Sequence, residues 1–184
     1  MKDQWAMCAM GAWLTGTIVV SVVATENFYT IDRLLAQSQN STFTAVAERL
    51  GSGDTRDLLR YLSSELNRLY FQLWNVTQFA LGALVFWLLA GNRAASRARW
   101  GVAGMLVLVV LLIAWLTPQI VTVGRSLDFV PRNPPPPAVA RFGMLHGLYT
   151  SLEGIKLLAG AVVTYWIARS AASRTDVGHR SSTP

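Results

Sequence analysis

Apolar residues are gathered into four blocks near 20 residues long: Trp5 to Ala24, about Gln72 to Ala90, Trp100 to about Pro118, and about Tyr149 to Ala168. A helix of that length spans the roughly 30 Å hydrocarbon core of a bilayer at about 1.5 Å per residue. All four blocks are nearly free of charge, the exceptions being Glu153 and Lys156 in the fourth. The pattern predicts an all-α fold, an integral membrane four-helix bundle. In it the second and fourth helices extend beyond the membrane on the extracytoplasmic side.

Between the blocks the pattern changes. Glu26 to Leu35 mixes charge with apolar residues at helical spacing and continues the first helix outside the bilayer. After the polar break Gln37 to Thr42, the stretch Phe43 to Leu50 reads as a short helix ended by Gly51-Ser52-Gly53, with Asp54 as the cap of the next one. Leu58, Leu59, Leu62, Leu66 and Leu69 then lead into the second span with no glycine or proline, as one long protruding helix. The segment Arg125 to Arg141 contains Pro134-Pro135-Pro136-Pro137 and reads as a stiff, non-helical polyproline spacer. A kink is expected at Pro118, and the polar residues 170–184 read as a disordered cytoplasmic tail.

Composition agrees with the blocks. The 184 residues are 52% hydrophobic and 14% charged, against roughly 25% charged in ordinary soluble domains. The formal charge of +6 is unevenly placed. The N-terminus, Asn92 to Arg99 and the tail from Arg169 carry Lys2, Arg93, Arg97, Arg99, Arg169, Arg174 and Arg180 against Asp3 and Asp176. Lys and Arg are retained in short cytoplasmic loops, so both termini are assigned to the cytoplasm, in a membrane such as a bacterial inner membrane. The basic charge then reflects topology, and no nucleic-acid partner is expected. The lipid bilayer is the partner the composition implies. A cleaved signal peptide at Trp5 to Ala24 is the weaker reading, because the block is long for one and Trp5 sits where an interfacial anchor belongs. One cysteine, Cys8, excludes an intrachain disulfide.

Polar residues recur with equal spacing in the second and fourth helices. Glu65, Arg68, Gln72 and Asn75 lie at relative positions 0, 3, 7 and 10, as do His146, Tyr149, Glu153 and Lys156. At about 100° per residue each set forms one stripe. Asn75 and Glu153 each stand 16 residues from the cytoplasmic boundary at Gly91 and Arg169. That places both near 24 Å up the core, at one level. Gln119, Arg125 and Asp128 from the third helix complete a polar cluster at the outer mouth.

Two readings of this cluster compete: mutual pairing that holds protruding helices together, or a pocket for a ligand, ion or substrate with Glu153 and His146 as its ionisable centre. The eight stripe residues are the candidate ligand-binding set. No catalytic residue, metal site or cofactor is expected. The only other histidine, His179, lies in the tail, and CxxC, HExxH and phosphate-loop motifs do not occur. The leading functional reading is an accessory or structural protein that meets a protein partner or forms a homo-oligomer through its outer helices. A small transporter or ligand-binding protein is the alternative. A lipid- or quinone-active enzyme, with Arg68, His146 and Glu153 at a headgroup, ranks third, as no nucleophile–base pair is visible.

The run Arg141-Phe142-Gly143-Met144-Leu145-His146-Gly147-Leu148-Tyr149-Thr150-Ser151-Leu152, followed by Leu157-Leu158-Ala159-Gly160, resembles the last helix of the transmembrane-protein-205-like family, a family of unknown function. Thr117-Pro118-Gln119-Ile120 is similar to the end of that family's third helix. The resemblance covers about the last half of the chain and implies four helices and an interest in His146. It brings no reaction or ligand. Glu153 or a neighbour stands where the family usually has Asn.

Overall fold

The structure, a computed structural model, describes residues 1–131 and 133–180, with side chains through Ala172. Every regular element among them is helical: α1 Lys2–Gln37, α2 Ser41–Leu50, α3 Ser52–Leu88, α4 Ser96–Leu111, a π-helical turn Leu112–Leu116, α5 Thr117–Arg125 and α6 Pro137–Arg180. Four helical stretches are long and apolar enough to cross a membrane: α1, α3, the continuous run from α4 through α5, and α6.

The spans form a ring in which α1 and α4 each pack against both α3 and α6. Chain direction alternates, so α3 and α6 run parallel across the ring. One end carries the short α3–α4 turn, the N-terminus and the last turns of α6; the other carries α2 and the connection between α5 and α6. The bundle interior is filled by Met10 and Trp13 of α1, Val85 of α3, Val102 and Met105 of α4, and Val163 and Ile167 of α6. Outward-facing positions are also apolar, with Val76 70% and Leu158 72% exposed. In water such a belt would be costly; in lipid it is the ordinary outer surface of a spanning helix.

Lipid tails are as apolar as leucine, so helices in a membrane associate through close packing more than through exclusion of water. Gly16 lets α3 approach α1, since a Cβ there would stand 2.2 Å from the Trp74 ring. Gly82 does the same for Trp13, whose ring would lie 2.7 Å from an added Cβ. Hydroxyls inside the spans turn back on their own helix: Thr17 donates to the Trp13 carbonyl at 3.0 Å, and Ser21 to that of Thr17 at 2.8 Å. Each polar group is thereby satisfied without leaving the helix.

Several boundaries differ from the sequence expectation, each for a local reason. The short helix α2 starts at Ser41, because the Asn40 side chain accepts from the Phe43 N–H at 3.0 Å and caps it. A single residue, Gly51 at φ +87°, separates α2 from α3, so Asp54 sits in the first turn of α3 and is not its cap. The third span does not end at Pro118. The π turn precedes it, Thr117 N–H donates to the Leu112 carbonyl, and the helix continues to Arg125. A wider turn just before a proline makes room for its ring and absorbs its missing donor. The proline spacer is shorter than 125–141, since α6 begins at Pro137, where a first-turn residue has no use for an N–H. At the other end α6 continues past Ser170 to Arg180, no proline or early glycine stopping it; residues 181–184 of the expected disordered tail lie outside the described residues.

Candidate functional site

The eight stripe residues separate into two clusters and two outliers. Deep in the bundle, the Lys156 ammonium is fully buried and the Glu153 carboxylate nearly so. Both Glu153 oxygens lie close to Lys156 Nζ, at 2.7 and 2.6 Å. Across the ring the same ammonium donates to Gln78 Oε1, which also accepts from the Trp13 indole N–H at 3.4 Å. Gln78 Nε2 donates to Asn75 Oδ1 at 3.0 Å, and Asn75 Nδ2 to Thr117 Oγ1 at 3.2 Å. One hydrogen-bonded chain therefore joins all four spans. The equal depths counted for Asn75 and Glu153 place Gln78 and Lys156, one turn further along each parallel helix, in direct contact.

An ammonium in an apolar interior is tolerable only with its charge balanced and its protons accepted. Glu153 supplies the first, and Glu153 with Gln78 the second. The local reason for the pair is spacing, since i and i+3 share a helix face. Among the described residues, Tyr149 Oη and Trp74 Nε1 beside this network have no hydrogen-bond partner, and Glu153 Oε2 meets Lys156 as an ion pair only. Tyr149 is held instead by the edge of Phe71, ring centroids 5.5 Å apart.

The second cluster sits at the end that carries α2. Arg68 is bracketed by Glu65 and by both oxygens of Asp128, at 3.1 and 3.0 Å, and Arg125 stands 4.0 Å from Glu65. This group ties α3 to the segment after α5. It is only partly buried, the Glu65 side chain being 38% exposed.

The structure does not join His146 to Glu153. His146 is exposed and stacks on Phe142, one turn back on α6, with centroids 5.9 Å apart and planes 9° apart. Seven residues put it about 10 Å along the axis from Glu153, and at the edge of the stripe it turns away from the interior. Gln72 is likewise exposed. Sequence reasoning passed over Gln78, Trp13 and Thr117. The available signal was Gln78 itself, an amide inside an apolar span one turn beyond Asn75, where an unpaired amide would be costly.

Beyond Arg68 α1 and α3 continue as a pair, with the loop after α5 reaching Tyr61 through Phe129, ring centroids 5.1 Å apart. Asn67 Nδ2 donates to the Ala24 carbonyl at 2.8 Å, Asn27 Nδ2 to Asn67 Oδ1 at 2.6 Å, and Ser63 Oγ to the Asn27 carbonyl at 3.3 Å. Further out Arg56 pairs with Asp32 at 2.5 Å, and Thr55 Oγ1 donates to the Ala47 carbonyl of α2 at 3.2 Å. These contacts step outward in antiparallel register. The stem so formed leaves Leu58 and Leu62 exposed along α3. Among the described residues no group of His, Cys, Asp and Glu could hold a metal ion. Compared with known proteins, the chain matches no family model, no curated protein and no solved structure.

Proposed function

We propose that this membrane protein is an accessory or structural component whose α1–α3 stem, with α2 at its tip, docks a protein partner or a second copy of the chain. The observation that carries the reading is the stem. Residues 52–67 of α3 extend about 24 Å beyond the level of Arg68, and their apolar side chains Leu58 and Leu62 are exposed. Past the apolar belt these residues are outside lipid, where exposed leucines on one face mark an interaction surface. The buried Lys156 network serves this role by holding four spans in fixed relation, so that the stem projects at a defined angle. The basic short-loop end supports placing both termini in the cytoplasm and the stem outside, as in a bacterial inner membrane.

The test is cross-linking from the stem. In a Cys8→Ser background, Leu62→Cys in native membranes should give a specific cross-linked species, while Val107→Cys, on the lipid face of α4, should not. Leu62→Cys protein that remains uncross-linked and purifies as a companionless monomer would refute the docking reading. The alternative, a ligand- or ion-binding protein using the polar residues, is favoured by the unpartnered Tyr149 hydroxyl beside a buried charge pair. Glu153→Gln would then alter binding or transport at unchanged protein level.

A further inference from the structure

The two ends of the bundle handle charge differently. At the stem end, basic and acidic residues are nearly balanced, and several pair: Arg33 with Glu26, Arg56 with Asp32, and Arg68 with Glu65 and Asp128. At the short-loop end, the carboxylate among the described side chains is Asp3, which is buried and accepts from the Asn92 amide at 3.3 Å. That bond fixes the start of α1 to the α3–α4 turn and brings their neighbours, Lys2 and Arg93, to one corner with both side chains exposed. Arg97 and Arg169 are also exposed, and Arg99 is partly so.

Among the described residues, three of these cations contact aromatic side chains and none pairs with a carboxylate. Lys2 Nζ lies 5.7 Å from the Trp87 ring centroid, Arg99 Cζ lies 6.0 Å from that of Trp100, and Arg169 donates to the Tyr165 hydroxyl at 3.3 Å. Trp5, Trp87 and Trp100 are each more than 60% exposed at this same level. Indoles with one apolar and one wet side sit at the headgroup boundary. The cations held against these rings therefore stand at phosphate depth, and among the described residues none of them pairs with a carboxylate.

We propose that this end is a binding collar for anionic phospholipid headgroups, in which Lys2 and Arg93 grip one phosphate at the α1–α3 corner and Arg97, Arg99 and Arg169 hold others around α4 and α6. Complementary charge selects the anionic lipid, and the tryptophans seat its upper acyl chains. The proposal rests on the membrane-spanning reading of the four helices and is independent of what the stem docks.

The experiment uses full-length protein in neutral-detergent micelles, with native mass spectrometry and thermal unfolding as readouts. Phosphatidylglycerol should be retained in preference to phosphatidylcholine and should raise the unfolding temperature, whereas inorganic phosphate at equal concentration should do neither. Replacing Lys2, Arg93, Arg97 and Arg99 by Gln should cut phosphatidylglycerol retention by roughly tenfold or more. Replacing Arg33, Arg49, Arg60 and Arg141 by Gln removes the same charge from the other end and should leave retention unchanged. Equal loss in both quadruple variants, no preference over phosphatidylcholine, or an equal effect of inorganic phosphate would overturn the collar. A protein that stays in water without detergent would instead refute the membrane reading. Circular dichroism of each variant confirms that its helices are intact.

Discussion

Two ion clusters built on equal residue spacing meet different fates in this protein. Arg68, with Glu65 and Asp128, lies at the rim of the bundle, where solvent reaches Glu65. Lys156, with Glu153 and Gln78, lies in its middle with the ammonium sealed off. A rim pair gains little Coulomb energy and loses little when broken, because water replaces the partner. A sealed pair hardly stabilises relative to apolar packing, yet breaking it strands a charge. The same three-residue spacing thus encodes a mild clasp in one place and a strict pairing requirement in the other.

The largest expected effect follows from stranding the charge. Lys156→Met should leave Glu153 buried without a counter-ion and destabilise the bundle by about 3 kcal/mol or more. Adding Glu153→Met should recover most of that loss, since two apolar side chains replace the pair. Reversible unfolding in mixed micelles measures both. If the single and double variants are equally unstable, the loss does not come from a stranded Glu153 charge. Gln78→Leu should fall between them, removing one acceptor of the ammonium while Glu153 remains.

The next effect tests the rim. Arg68→Ala should cost about 1–2 kcal/mol, reduced by solvent access to Glu65. Unlike the Lys156 variant, it should be milder still at high salt, where the remaining carboxylates repel each other less. A loss as large as that of Lys156→Met would erase the distinction between the clusters.

How much of this was legible in the sequence depends on which rules are local. Helix count, the parallel run of α3 and α6, and the shared depth of Asn75 and Glu153 follow from a 1.5 Å rise and a polar–apolar pattern, both readable within one helix. The Glu153–Lys156 contact is also local. The role of Gln78 is not, since it depends on which helices share the ring and how each is rotated. Trp13 was hidden for a similar reason: nothing within its own apolar block shows that its indole N–H meets an amide on α3. His146 shows the opposite error. Its place on the stripe was correct, but the stripe spans some 80°, and the neighbouring helices cover only part of that arc. The π turn before Pro118 was read as a kink because sequence marks the missing donor but not how the backbone absorbs it.

The smallest effects concern the two ring residues one turn apart on α6, and their signs differ. His146→Ala removes an exposed ring stacked on Phe142 and should change stability by less than about 0.5 kcal/mol. Tyr149→Phe removes a buried hydroxyl that has no partner among the described residues. A buried donor without an acceptor costs free energy, so its deletion with the ring retained should be neutral or should stabilise by up to about 1 kcal/mol. The Phe71 edge contact survives in the variant, so packing does not confound the comparison. Destabilisation of 1 kcal/mol or more by Tyr149→Phe would mean that the hydroxyl is bonded in the working protein, by a water or a bound molecule beside Glu153. The sealed cluster would then be a binding site, and not only the pin that holds four helices in register.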